Sequence, residues 1–582
     1  MNKYMLIGML MINSIMIQVS QAQQGPRNND NQSRAAGENR GNGNNGNNGN
    51  NGNNGNNGNN GNNGNNGNNN QERGNRPTTT VNPEQNLENV EQNLQALIVD
   101  QELSPINVTN FSLPNISEPK AQLGKKLFFA KNLGGEESAA CVSCHHPTLG
   151  GGDDLSLPVG VAAVDEFNIS SHNLLGSGRF NGISNTNLPA VPRNSPTVFN
   201  LGLNTDSLFW DGRVETQRGG AIITPDSNMN DNGRRLPDAN LPQNTTLAAA
   251  QARFPITSVQ EMRGEFLPDV DNQSLRTQLT QRFDNSDDNY QSTWPIDFEL
   301  AYGDAEVTFD RIADALGEYE RSMVFVNNPW QAYLGGDSAA LTSQQKAGAW
   351  LFFSSKQEGG AGCSACHNGP TLSSRRNRLT AYPQFGPGKG NTSDTATSHD
   401  FGRENVSQNE EDRYHFRVPT LLNVAVTAPY GHAGAYQTLE EVVNHYNNPR
   451  QAINRLFAAQ GNQAFINGVA PFCQLPQVAD LMQKNNQSCE ALYPDAYANS
   501  IATVEHLEQA RNGDVKARSP LRRSPRLSDE MVVQIVGFLN ALTDPCIENR
   551  DCLSPWIIDE MNEANFPDNN PLIGIDRESN AL

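Results

Sequence analysis

The chain has 582 residues, long enough for two or three domains that each bury an apolar core. Its 63 acidic and 42 basic side chains leave a formal net charge of −21, which argues against nucleic acid as a partner. A basic or neutral partner, such as a small basic cytochrome, suits that charge, and so does the plainer role of keeping an exported protein soluble.

Met1 to Ala22 sets Lys3 ahead of an apolar stretch from Met5 to Val19 and closes on Ser20-Gln21-Ala22, the pattern of an export signal. The apolar run falls short of the roughly 20 residues of a spanning helix, and no later segment reads as a membrane span. Residues 23–85 read as a disordered tether. From Gly41 to Asn70 the chain repeats Gly-Asn-Asn with no apolar side chain to offset the entropy of ordering, and without the proline that a collagen-like helix needs. Folded sequence is expected after Pro83.

Glu118 to Ala130 predicts a helix, with an early proline and with leucine and phenylalanine at helical spacing. Phe309 to Tyr319 and Asp529 to Leu542 predict two more amphipathic helices. Thr342 to Phe353 repeats the first helix, Leu351-Phe352-Phe353 echoing Leu127-Phe128-Phe129. Downstream, Pro196-Thr197-Val198-Phe199-Asn200 is echoed by Pro419-Thr420-Leu421-Leu422-Asn423, and Trp210-Asp211-Gly212 by His432-Ala433-Gly434. The simplest account is an internal duplication: two homologous helical domains joined by long irregular loops, in a mainly α fold.

An exported chain with eight cysteines needs a partner for each. Cys473/Cys489 and Cys546/Cys552 lack a following histidine and read as disulfides. Cys141/Cys144 and Cys363/Cys366 have C-x-x-C spacing with His145 and His367 directly after, the arrangement that attaches haem c: two thiols add to the vinyl groups while the adjoining imidazole reaches the iron. Zinc is the structural alternative, but it would not require a histidine directly after both pairs; a thioredoxin-like pair would need a βαβ context. His146 reads as incidental. The sixth iron position then decides between carrier and enzyme, because a second strong ligand saturates the metal and a vacancy admits peroxide.

These motifs, with LGKKLFF, PRNSPTVFN, FWDGR, FPITSVQEMRG, VPTLLNVAVTAPYGHAG and TLEEVVNHY, resemble the bacterial dihaem cytochrome c peroxidases and their relative MauG, from about Pro119 to about Pro545. The resemblance implies a distal ligand for the second haem 14 residues after His432, at Tyr446, where ordinary peroxidases carry methionine and MauG-like proteins tyrosine. His445 is the rival ligand, about 100° away around the helix. In the first domain the family's distal histidine falls near Val161 here, which leaves that haem open; His172, on the same loop, reads as a solvent-exposed histidine that could instead cap it. The resemblance further implies Glu261 as acid-base carboxylate, Gln251 as the distal amide that orients peroxide, and Trp210 as the relay between haems. It implies Asn194, Thr427 and Pro429 as the oxygen ligands of a calcium ion, and it marks Leu422 as a departure where relatives often carry arginine.

The expected organisation is therefore an export signal (1–22), the tether (23–85), a cytochrome c domain with the peroxidatic haem (86–325), one with the electron-transfer haem (326–545) and a tail (546–582). The expected activity is reduction of hydrogen peroxide in the periplasm, with electrons from a small cytochrome or cupredoxin. A MauG-like oxidase acting on a protein substrate and a non-catalytic dihaem electron carrier are the alternatives.

Overall fold

The computed structural model describes residues 89–167, 172–204, 206–389, 398–458, 469–559 and 566–582. The chain divides into two units, Met1–Pro77 and Thr78–Leu582. The first unit lies outside the described residues, and with it the expected export signal and the Gly41 to Asn70 repeat.

The second unit is mainly helical, with strands of two to six residues. Helix α1 spans Val90–Asp100, and α2 spans Pro119–Phe129 with proline in its first turn, where the missing N–H has no partner to lose. Helix α3 (Leu247–Ala252) is capped by the Thr246 hydroxyl and α4 (Phe309–Ser322) by that of Thr308. In α5 (Ser343–Phe353) Thr342 and Gln345 cap reciprocally, as Thr438 and Glu441 do in α6 (Leu439–Asn447). Helix α7 (Asp529–Asn540) starts at Ser528. Strands β1 (Ser374–Leu379) and β2 (His415–Val418) pair antiparallel, Leu379 opposite His415.

Two large hydrophobic cores form, and they repeat one another. In the first, α2 packs on α4; in the second, α5 packs on α7. Each contact turns on a glycine: a Cβ on Gly124 would stand 1.9 Å from the Ala315 carbonyl oxygen, and one on Gly348 1.9 Å from that of Gln534. Asn200 and Asn423 both adopt left-handed backbone (φ 62° and 64°) at the start of a short 3-10 turn. Their side-chain amides converge on the Phe325 carbonyl, at 3.3 and 2.9 Å.

The ends of the chain cross over. Leu94 of α1 packs in the second core, whereas Ile547, Leu553, Phe566 and Leu572 pack in the first. Disulfides join Cys473 to Cys489 and Cys546 to Cys552, as expected, with Cα atoms 5.4 and 5.3 Å apart. Cys141, Cys144, Cys363 and Cys366 stay free. Among the described residues no helix is long and apolar enough to cross a membrane.

Candidate haem sites

The two C-x-x-C-H segments are built alike. Cys141–Ser143 and Cys363–Ala365 each form a 3-10 turn that ends in a histidine. His145 Nδ1 donates to the Gly151 carbonyl at 3.1 Å, and His367 Nδ1 to the Leu372 carbonyl at 3.0 Å. A hydroxyl braces each loop one residue earlier: Thr197 Oγ1 donates to the Gly150 carbonyl and Thr420 Oγ1 to the Thr371 carbonyl, both at 2.6 Å. The hydrogen bond fixes the tautomer with the proton on Nδ1 and leaves the lone pair on Nε2, which at His145 lies 3.4 Å from Ser195 Oγ. Burial pulls both imidazoles down to about 4, so each is neutral and able to ligate a metal at ordinary pH.

Opposite His367 lies a cavity of about 1320 Å³ lined by Cys363, Cys366, Val443, Tyr446, Ile535 and Leu539. Tyr446 faces it from α6. The Tyr382 and Tyr446 rings stand 5.9 Å apart at 72°. Burial pushes the Tyr446 phenol up, and hydrogen bonding from the Tyr382 hydroxyl acts in the opposite direction. His445 is fully buried with both ring nitrogens engaged: Nδ1 accepts from Tyr436 O–H and Nε2 donates to the Thr380 carbonyl, each at 2.9 Å. Of the two rival ligands, only the tyrosine opens onto the cavity.

The residues expected to serve the first site sit differently. Glu261 sits in a π-helical turn, Val259–Arg263, that is pinned by close backbone approach. Gly135 N donates to the Met262 carbonyl at 2.8 Å, and a Cβ on Gly160 would stand 2.4 Å from the Glu261 carbonyl oxygen. The turn ends at Gly264 (φ 59°), where a side chain would strike the Glu136 carboxylate. Glu261 is half-buried, makes no ion pair or side-chain hydrogen bond among the described residues, and lies close enough for its charge to act on the Cys144 thiol. Gln251, near the end of α3, is half-buried and its side chain is likewise without a hydrogen bond among the described residues. Val161 is buried, its N–H directed at the Gln260 carbonyl.

His172 is half-buried, not solvent-exposed as the loop suggested. The cause is Arg179, a fully buried guanidinium that gathers the carbonyls of Val159, Gly160, His172 and Leu174. Sequence reasoning passed over Arg179, and the ring of carbonyls that satisfies it has no sequence signature. His146 is buried against Phe129 and Gly574, its Nδ1 held by Thr148 Oγ1 at 2.7 Å.

Between the two sites, Ser195 Oγ donates to the Cys144 carbonyl at 2.7 Å and lies 3.2 Å from His145 Nδ1. On the next residue, the Asn194 carbonyl accepts from Trp210 Nε1 at 2.8 Å, and Trp210 lines the His367 cavity. Two residues thus link the first histidine to the indole. Asn194 Nδ2 donates to the Pro429 carbonyl at 2.6 Å, and Thr427, two residues before, bonds its own Val424 carbonyl at 3.1 Å. Asn194, Thr427 and Pro429 line one cavity together. Beneath them Arg193 holds Asp400 through two bonds (2.6 and 2.7 Å) and Asp211 through one (2.6 Å). Burial alone would raise the Asp211 carboxyl; Arg213 and Arg193 outweigh it and hold it well below the ordinary range.

These donor sets fit covalent haem. Four free thiols flank two histidines whose Nδ1 protons are held by backbone carbonyls, leaving the lone pair on Nε2. Buried polar atoms without partners gather at the same places: His432 Nε2 and Arg378 Nε belong to residues lining the cavity, and Asp153 Oδ2 to a residue whose charge reaches Cys144.

The family described as di-haem cytochrome c peroxidase matches residues 118–339. Cytochrome c551 peroxidase of Pseudomonas aeruginosa is 32% identical over 339 residues, covering 58% of this chain and 75% of that protein. Methylamine utilization protein MauG of Methylorubrum extorquens is 27% identical over 334 residues, covering 57% of this chain and 69% of that one. Among solved structures, a MauG-like protein associated with microbial copper homeostasis is 20% identical with a TM-score of 0.45, covering 79% of this chain and 97% of that chain.

Proposed function

The chain belongs to the di-haem cytochrome c peroxidase family and is an oxidoreductase of that type, and from that premise we propose that it reduces hydrogen peroxide to water beside His145, with two electrons entering through the His367/Tyr446 side. Haem c bound at Cys141/Cys144 and at Cys363/Cys366 supplies the iron chemistry at both places. Residues 86–325 and 326–545 are read as the two cytochrome c domains. Glu261, unpaired in its turn, accepts the proton of the near peroxide oxygen and returns it to the far one, so that water leaves. Gln251 orients the peroxide by hydrogen bonding, and Val161 leaves room where a histidine would compete. Trp210 carries electrons between the sites. Asn194 and Thr427 side-chain oxygens with the Pro429 carbonyl hold calcium, which requires the Asn194 amide to present its oxygen where it now donates. The two disulfides favour an exported, oxidising location such as the periplasm. The donor is a small cytochrome or cupredoxin.

One observation carries this reading: two histidines are held in the same way, but Tyr446 opens onto the cavity of one, while Glu261, an unpaired carboxylate among the described residues, lies within electrostatic reach of the Cys144 thiol beside the other. The test is spectroscopic. The isolated holoprotein should show one high-spin and one low-spin ferric haem and react with peroxide before any reduction. Tyr446→Met should change the low-spin spectrum and raise that haem's potential, because a thioether replaces a hard anionic oxygen. Two low-spin haems inert to peroxide would leave an electron carrier. The hydrogen bond that Tyr382 gives Tyr446 favours a second reading, a MauG-like oxidase acting on a protein, since a supported tyrosinate suits higher oxidation states.

A further inference from the structure

The mouth of the His367 cavity is basic, although the chain as a whole is strongly acidic. Lys356, Arg376, Arg378, Arg518, Arg522 and Arg523 line it, against two acidic residues, Asp206 and Glu358. Both acids are already engaged: Asp206 pairs with Arg375 at 2.8 Å, and Glu358 accepts from Ser355 N at 3.2 Å. Two distant segments build this rim. Leu379 N donates to the Ser519 carbonyl and Leu521 N to the Leu379 carbonyl, which lays residues 518–523 along the end of β1. Lys356 Nζ donates to the Arg523 carbonyl and Arg378 to that of Ala365, which ties the rim to the haem-attachment turn.

A haem in this cavity accounts for only part of the charge. It brings two carboxylates, and the unpartnered Arg378 Nε and His432 Nε2 are the buried donors placed to meet them. Arg518 pairs with Asp412 at 3.2 Å. Arg376, Arg522 and Arg523 stay exposed and make no ion pair among the described residues. Exposed like charges this close repel one another and stabilise nothing within the chain.

We propose that this basic rim is the docking surface for the electron donor, and that the donor presents an acidic face. The inference rests on the reading of the His367 side as the point of electron entry. It reverses the partner that net charge alone suggests, because steering depends on the field at the haem edge and not on the sum over the surface.

The test uses the full-length holoprotein and two reduced small cytochromes c, one of net negative and one of net positive charge. Binding is measured calorimetrically without peroxide, over a range of salt, on the wild type and on the Arg376→Glu/Arg522→Glu/Arg523→Glu variant. The negative cytochrome should bind more tightly than the positive one, lose affinity as salt rises, and bind the variant about tenfold or more weakly. A preference for the positive cytochrome, or unchanged affinity in the variant, would overturn the proposal. So would equally tight binding of single-stranded DNA, which would make the rim an unselective polyanion trap. Peroxide reactivity of the wild type, measured with no donor, reports on the enzymatic reading separately.

Discussion

The His145 and His367 regions share what would hold a haem and differ in what would face it. Turn, histidine tautomer, bracing threonine and glycine-mediated helix crossing recur in both. Across from one stands Tyr446 with its Tyr382 donor; near the other stands Glu261 in a π turn. If both segments attach haem, the shared framework holds the group in place whatever stands opposite it, and the few residues that differ are free to set the two sites apart.

The comparison breaks most sharply at Glu261. Glu261→Gln keeps the shape of the turn and removes the proton acceptor, so the rate of reaction with peroxide should fall by about 10² to 10⁴-fold, while both haem spectra keep their resting form. Stopped-flow mixing with peroxide checks this. A loss under threefold would return Glu261 to the status of a half-buried surface group.

A smaller effect is expected at Tyr382. Tyr382→Phe removes the hydrogen bond given to the Tyr446 oxygen, and a bond to a charged acceptor contributes on the order of 1.5–3 kcal/mol. The freed tyrosinate becomes the stronger donor, and the potential of the His367-side haem should fall by about 65–130 mV. The His145-side potential should not move, because Tyr382 lines the His367 cavity. A spectroelectrochemical titration in which both potentials shift together would mean that Tyr382 acts through packing alone.

Much of this architecture was legible in the sequence, and the reason is local. The Leu-Phe-Phe helix ends and the paired asparagines act within a few residues of themselves, and the structure forms both helices and repeats the asparagine turn in each half. What distinguishes His445 from Tyr446 is not written in the helix itself: Tyr436, nine residues before His445, and the distant Thr380 carbonyl engage the imidazole, while the phenol lines the cavity. The π turn at Glu261 depends on Gly135 and Gly160 approaching from more than a hundred residues away. Arg179 and the basic rim are likewise assembled by the fold. The rim shows why summed charge was a poor guide: two short arginine-rich runs, dilute in the sequence, become neighbours only when residues 518–523 lie along β1.

The least expected difference between the halves is a carboxyl group. The glycine contacts set Ala315 against Gln534 and Tyr319 against Phe538, so the next residue pairs Glu320 with Leu539. Leu539 lines the His367 cavity, and the Glu320 charge acts on the Cys141 thiol, so each lies near its own attachment turn. Burial lifts the Glu320 carboxyl to about 8, and its Oε2 has no hydrogen-bond partner. Unfolded, the group would titrate near 4.3. Between those values the folded protein binds the extra proton, so stability falls as pH rises, by up to about 1.4 kcal/mol per pH unit, and the loss is complete above the folded value. Glu320→Gln should flatten this slope: denaturation midpoints of wild type and variant should converge near pH 5 and separate in the variant's favour by pH 9. Leu539, uncharged, contributes no such slope to the second half. If the two midpoints stay parallel from pH 5 to pH 9, Glu320 has a partner in the holoprotein that offsets its burial.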